Sequence, residues 1–530
     1  MAEPQKEVIA DEPIARERTG LKVRIEHLWL AVPVALVVCF GFIKKLPLVD
    51  FWWHLKAGEI ILNTASIPRT DLFSFTAAGN EYILQNWLVE VIYYLLYRAG
   101  GLPMLVFFNT LLLVAALLPV YHLCRTATTR LRLSAVAAMV AGMSLVYFGS
   151  ARSQVFSFLL FSVFYWSLTR YINRERSFIF ALPFLMMGWV NFHGAFVLGL
   201  GLILLFFGSE AARRLIYGQR PETLTGRELG RLAVSLLLCG LATLANPEGY
   251  RVYKYVRAVA QNPASQSFVL EWQPPLINDL AGIILFYGPF FITLLVLLYA
   301  NSRPGLTHIA LFLTFSIFGL MAIRNAVWFG LVAAPILARY FPSGDDLRSL
   351  RPLRRFSLVD RLALWVERRR ESQAPVRYRL NRQIAAMMLV ITFALTPWVY
   401  PHLGNRMLGS ALWEKETPVG AVDFIKEKEL QGNIFHPQLY GDYLVWRAWP
   451  AQRSFIDGRV HLFGDKVVQD YRLVFYDSHW EERLAPYEIR YLLISKAEQE
   501  HHMVIDSARS APGWRLLYED ELSVLFEKLQ

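Results

Sequence analysis

The sequence predicts an all-α polytopic membrane domain of about eleven transmembrane helices, followed by a small α/β domain on its outer face. Three observations carry that prediction. The 530 residues are 55% hydrophobic and only 18% charged, where a soluble protein carries about 25% charged residues. The apolar residues fall in blocks approaching the ~20 residues that cross a bilayer. Lysine and arginine gather between the blocks rather than inside them.

Taken in order, the chain begins with a polar tail, 1–27, too long and charged for a simple cleaved signal peptide. It is expected in the cytoplasm, with the first apolar block kept as an anchor. Spanning helices are expected near 28–43, 102–121, 133–149, 155–169, 178–192, 194–208, 232–246, 281–300, 307–323, 326–341 and 384–400. Together they make a membrane domain over 28–400. The amphipathic block 85–98, which contains Glu90, is expected to lie in the interface or re-enter the bilayer within a long outer loop, 44–101. With this topology the inner segments hold 28 Lys and Arg and the outer loops before residue 401 hold 10. Positive residues resist translocation, so the bias orients the chain with its N-terminus inside. A full span at 85–98 would invert every later loop. The basic loop 342–383 is expected to be cytoplasmic, partly as an amphipathic helix against anionic lipid. Residues 401–530 mix polar and apolar residues. The runs YLLIS and SVLFEKL read as strands and AVDFIKEKEL as a helix, in keeping with an extracytoplasmic α/β domain able to bury its own core.

Several function classes are excluded or disfavoured. The net charge of +11 is spread between apolar blocks, so it sets topology rather than a nucleic-acid surface. Cys39, Cys124 and Cys239 lie in or beside apolar segments, leaving no disulfide framework and no cysteine zinc site. There is no phosphate-binding GxxxxGK[ST] loop, HExxH, GxSxG or paired CxxC. No inverted repeat with broken helices points to a secondary transporter.

The unusual polar residues all sort to the outer ends of helices: Asp50 and His54, Asp71, Glu90, Arg152 and Gln154, His193, Glu271, Arg324 and Asn325. Ionisable groups at the membrane boundary are costly unless paired or useful. Their segregation to one face predicts a single cavity opening outward. Each residue also has a plainer reading. Asp50 can be an interfacial helix cap or a catalytic carboxylate. Asp71 fits a turn, and Trp52 and Trp53 fit the aromatic belt. His54 and His193 lack a second ligand at metal spacing and read as boundary histidines, so no residue is assigned to a metal. Arg152 and Arg324 suit either a phosphate or a structural carboxylate. Glu271 suits a salt bridge or the site.

The stretch Asp50-Phe51-Trp52-Trp53-His54-Leu55-Lys56-Ala57-Gly58-Glu59 continues at 67–76 as IPRTDLFSFT. Downstream lie Arg152-Ser153-Gln154, Asn191-Phe192-His193-Gly194, Asn246-Pro247, Glu271-Trp272-Gln273-Pro274 and Arg324-Asn325. Together these motifs resemble those of a group of bacterial GT-C-like membrane glycosyltransferases. The resemblance covers about 28–340 and, more loosely, the outer domain. It implies an outer active site with a catalytic aspartate in the first outer loop, a position that Asp50 matches. Two departures stand out: Asp50 is followed by Phe51 rather than by a second acid, and the outer domain has no clear Trp-Trp-Asp motif.

The function expected from the resemblance is transfer of a sugar from a polyprenyl-phosphate donor to an unassigned acceptor hydroxyl, with inversion. Asp50 would be the base. Arg152, His193 and Arg324 would stabilise charge on the departing phosphate. Asp71 and Glu271 would orient sugar hydroxyls or help hold a divalent cation, the cofactor being otherwise unassigned. His54, Gln154 and Asn325 would complete the substrate contacts. The expected setting is the plasma membrane, with membrane lipids as partners and no nucleic acid. A flippase for lipid-linked glycans, or a non-catalytic scaffold, is the competing expectation.

Overall fold

A computed structural model describes residues 22–262, 270–342, 378–403 and 411–529. A helix stands near each of the eleven expected positions. Among the described residues, seven helices are long and apolar enough to cross a membrane by length and composition. They are Ile25–Ile43 (α1), Trp87–Ala127 (α3), Leu131–Phe148 (α4), Gln154–Ile172 (α5), Phe196–Tyr217 (α7), the run Gly226–Ala245 that begins with α8 (Gly226–Ala242), and Leu280–Leu298 (α10). The others are shorter: Leu182–Phe192 (α6), Leu306–Met321 (α11), Ala326–Tyr340 (α12) and Tyr378–Ala394 (α13). The last begins six residues before the expected 384.

The interior of the bundle is built by small residues that let backbones approach closely. A Cβ on Gly330 of α12 would lie 2.6 Å from Ser144 of α4, and one on Gly41 of α1 would lie 2.7 Å from Thr110 of α3. Every residue of α12 except Arg339 is buried, so this short helix is the axis of the bundle. Large apolar side chains such as Phe40, Leu241, Leu298, Ile317 and Leu389 stay exposed on the outer helices. That is the surface lipid would cover.

Two outer-loop helices leave the bundle, Phe51–Thr64 (α2) and Arg251–Gln261 (α9). The block expected as a separate helix at 85–98 is the first part of α3, and non-helical φ/ψ at Gly100 and Gly101 divide it from the helix that follows. The amphipathic helix expected in the basic loop falls largely on 343–377, outside the described residues, as does most of the 1–27 tail.

The C-terminal domain carries a four-stranded sheet of order β1-β2-β4-β3: Asn433–Phe435, Ile489–Ser495, Trp514–Glu519 and Ser523–Lys528 in chain order. Strand β1 is parallel to β2, and the other pairs are antiparallel. Alternation along β2 splits its side chains between two cores. Leu492 and Ile494 join the core under the outer helices, including His502–Ser510 (α16). Tyr491 and Leu493 join the core that continues through Val419–Glu427 (α14) and Gln438–Ala448 (α15) into the membrane bundle. The domain is therefore packed onto the bundle, and α15 lies along α2, with Trp52 edge-on to Tyr443 at 5.0 Å.

Candidate active site

Asp50 stands at the N-terminus of α2 with φ 74° and ψ −38°, a conformation that non-glycine residues rarely take. Its backbone N–H donates to a carboxylate oxygen of Asp442 on α15. The other oxygen of Asp442 accepts the N–H of Gly458 at 2.9 Å. The Asp50 side chain is 32% exposed, and its Oδ2 is 3.6 Å from Arg152 Nε.

Arg152 sits in the tight turn between α4 and α5, where its carbonyl accepts from Tyr93. Its guanidinium spans two carboxylates: beyond Asp50, it donates to both oxygens of Glu271 at 3.2 and 3.3 Å. Arg324 stacks over Trp272 at 4.6 Å, and its nitrogen is 3.5 Å from Gln154 Oε1. The N–H of Ile323 donates to the Gln273 carbonyl at 2.8 Å, which fastens the two outer loops together. Lys44, just past the end of α1, donates to the carbonyls of Val146 (2.7 Å) and Tyr147. The result is one cluster of alternating charge where the ends of α1, α4, α5 and α11 meet.

The electrostatics follow from burial inside that cluster. Desolvation pushes the Asp50 carboxyl above its ordinary range, while Arg152 pulls it down and Glu271 pushes it up. Arg152 loses solvation, yet Asp50 and Glu271 more than compensate and hold its proton more firmly than usual. Burial, helped by Arg152, brings the Lys44 ammonium down to about 8.

The remaining expected residues lie in adjoining layers. His54 is buried on α2, with Nδ1 3.1 Å from Glu90 and 3.3 Å from the Asn86 amide. His193 Nδ1 accepts the Ala195 N–H at 3.2 Å and stands 3.0 Å from Ser157 Oγ, which itself accepts from Trp189. Burial depresses both imidazoles to about 3, so each is neutral at pH 7. His193 can therefore offer a phosphate an N–H, not a positive charge. Asn325 donates to the Phe318 carbonyl at the end of α11. Asp71 is in a separate buried cluster. Its carboxylate accepts from Arg459 (2.6 Å) and from the N–H groups of Phe73 and Ser74. Arg459 also forks onto Asp457 at 3.0 and 2.6 Å, among the rings of Trp53, Phe73 and Tyr82.

Sequence reasoning did not single out Asp442, Gly458, Asp457 or Arg459. Asp442 lies 392 residues from Asp50, so no local spacing joins them. The only trace was the acid-Gly-base triplet Asp457-Gly458-Arg459, which by itself reads as a loop. Two cavities adjoin these elements. One, of about 510 Å³ and lined mainly by Pro33, Phe40, Met139, Met143, Tyr147 and Ile284, is an apolar groove between α1, α4 and α10. The other, of about 770 Å³, lies between α2, α3 and α15 and is edged by Tyr94, Tyr97, Trp446 and Trp449. Among the described residues, the group suited to a metal ion is Glu498, Glu500 and His501, in the C-terminal domain rather than at Asp50.

No protein-family model and no curated protein matches the chain. Solved structures do. The oligosaccharyltransferase AglB from Archaeoglobus fulgidus, in complex with an inhibitory peptide and a dolichol-phosphate, superposes with a TM-score of 0.54 at 13% identity, over 96% of this chain and 75% of that one. The Archaeoglobus fulgidus oligosaccharyltransferase tethered to an acceptor peptide containing the NVT sequon gives a TM-score of 0.54 at 14% identity, over 95% and 74%. ArnT from Cupriavidus metallidurans in the apo state aligns more weakly, with a TM-score of 0.45 at 15% identity over 94% and 97%. The chain therefore shares its fold with the Archaeoglobus fulgidus oligosaccharyltransferase.

Proposed function

We propose that the protein is a membrane glycosyltransferase that moves a sugar from a polyprenyl-phosphate donor to an acceptor hydroxyl at the outer face, with inversion. The observation that carries this reading is the convergence of Asp50, Arg152, Glu271 and Arg324, four residues from distant parts of the chain, at the outer ends of the helices. The apolar groove between α1, α4 and α10 supports it, because Val146 and Tyr147 on its wall receive the Lys44 ammonium. A lipid chain lying there would bring its phosphate toward Lys44 and Arg152, with no nucleotide site needed. AglB was solved with a dolichol-phosphate, a ligand of the same chemical class.

In the proposed step the acceptor oxygen attacks the anomeric carbon while the bond from that carbon to the phosphate oxygen breaks. The acceptor proton passes to Asp50, whose raised affinity for a proton suits a general base. The departing polyprenyl phosphate leaves with the bonding pair, and Arg152 and Arg324 face its charge. Glu271 keeps Arg152 extended across the site and is placed to accept a sugar hydroxyl. A flippase would need polar groups at mid-span, whereas this charged cluster sits at one end of the bundle.

The test begins with mass spectrometry of lipids extracted from the purified protein, expected to yield a polyprenyl phosphate or its sugar ester. Turnover of that lipid by Asp50→Asn should then fall by about 10²–10⁴-fold, the worth of a positioned base. Wild-type turnover by folded Asp50→Asn would remove the aspartate from the chemistry.

A further inference from the structure

We propose that Asp442 is the positioning residue for Asp50, so that the C-terminal domain completes the active site by holding the backbone of the catalytic aspartate. The inference rests on the reading of Asp50 as the base. Asp50 departs from ordinary backbone geometry with φ 74° and ψ −38°, close to the strained γ-turn region. Such a residue keeps its conformation only where the surroundings over-determine it. Asp442 and Gly458 supply the constraint. One carboxylate oxygen of Asp442, which is fully buried, takes the Asp50 N–H, and the other takes the Gly458 N–H at 2.9 Å.

Gly458 closes the arrangement from the opposite side. A Cβ there would lie 2.6 Å from Asp50 Oδ1, 2.9 Å from Val49 and 3.1 Å from the Asp442 carboxylate. The Asp50 side chain therefore rests directly against a backbone that carries no side chain. The loop that brings Gly458 to this point is itself fixed. Asp457 accepts from Ser454 Oγ (3.0 Å) and from Arg459, and Arg459 reaches Asp71 in the first outer loop. Both Asp442 oxygens accept from backbone donors, and the side chain is fully buried. It acts through Asp50.

The charged and titratable groups facing Asp50 include Arg152, Glu271, Arg324, Tyr255 and Asp442. Asp442→Asn would turn one acceptor into a donor aimed at a backbone N–H. With full-length protein and the co-purified lipid as probe, kcat should fall by about 10²-fold, the effect of a small misplacement of a catalytic group. Donor KM should stay near the wild-type value.

A merely structural role would lower the yield of folded protein without the split between a reduced kcat and an unchanged KM. Gly458→Ala is the second variant, since its methyl meets Asp50 most closely and leaves the Asp442 carboxyl chemically intact. It should reproduce the loss of kcat. If Asp50→Asn is inactive while Asp442→Asn and Gly458→Ala turn over like wild type, the positioning role is overturned and the base stands. If Asp50→Asn is itself fully active, the underlying reading fails first.

Discussion

Replacing Arg459 with methionine tests how the C-terminal domain is fastened to the first outer loop. The guanidinium is 1% exposed and bonds Asp71 on one side and Asp457 on the other, both carboxylates being fully buried. Methionine fills much of the same volume among Trp53, Phe73 and Tyr82, so the loss is mainly electrostatic. Removing one partner of a buried ion pair costs about 3–5 kcal/mol, because the stranded charge stays out of water. At roughly 2–4 °C per kcal/mol, the melting transition should fall by about 6–20 °C. The assay is intrinsic tryptophan fluorescence at one fixed scan rate, since unfolding of a membrane protein need not be reversible. The triple variant Asp71→Asn, Asp457→Asn, Arg459→Met leaves no stranded charge and should recover more than half of the loss. The pH dependence has a definite sign. Burial would raise the Asp457 carboxyl, but Arg459 outweighs it and holds the group below its ordinary range. Its contribution is thus present above about pH 4 and fades as pH falls through the lower folded value. Arg459→Met should lack that acid-side dependence. Melting of Arg459→Met within about 2 °C of wild type, the range of a surface substitution, would refute the reasoning.

Two further outcomes follow from the site. Met143→Trp puts a bulky ring into the apolar groove from an exposed position that carries no bundle packing, so donor KM should rise about tenfold with kcat unchanged, and unchanged KM would remove the groove from donor binding. Because burial holds His54 and His193 at about 3, neither imidazole should contribute a limb to the kcat profile between about pH 5 and 8, and an inflection near pH 6.5 that His193→Gln abolishes would show that one of them titrates there.

The helical part of the fold was legible because each segment declares itself locally. A run such as 133–148 is apolar but for two serines, and Arg130 and Arg132 mark its start without reference to anything distant. The strands of the outer domain were legible for the same reason: YLLIS is apolar on successive residues because both faces of β2 are covered. The first part of α3 was legible too, since non-helical φ/ψ at Gly100 and Gly101 separate it from the helix that follows. At the site, polar residues at the outer ends of apolar helices were visible one by one. Their meeting at Arg152 depends on packing that only the tertiary structure supplies. Arg459 and Asp442 were invisible as site residues, since each lies in an ordinary-looking polar stretch with partners more than 380 residues away.

That separation has a physical consequence for the division of labour between the domains. A carboxylate at the membrane boundary must be desolvated enough to hold a proton, yet anchored enough to meet its acceptor. The bundle supplies the desolvation and the opposing charges through Arg152, Glu271 and Arg324. It supplies no partner for the Asp50 N–H, because α2 begins at Phe51 and the chain before it has just left α1. The hydrogen-bond acceptor comes instead from α15. The Asp71–Arg459–Asp457 cluster holds the loop beside it. If Asp50 is the base, as proposed, a movement of the C-terminal domain relative to α2 would disturb its backbone through the hydrogen bond to Asp442. Binding of an acceptor to the outer domain would then be felt at the base, through one hydrogen bond and one glycine.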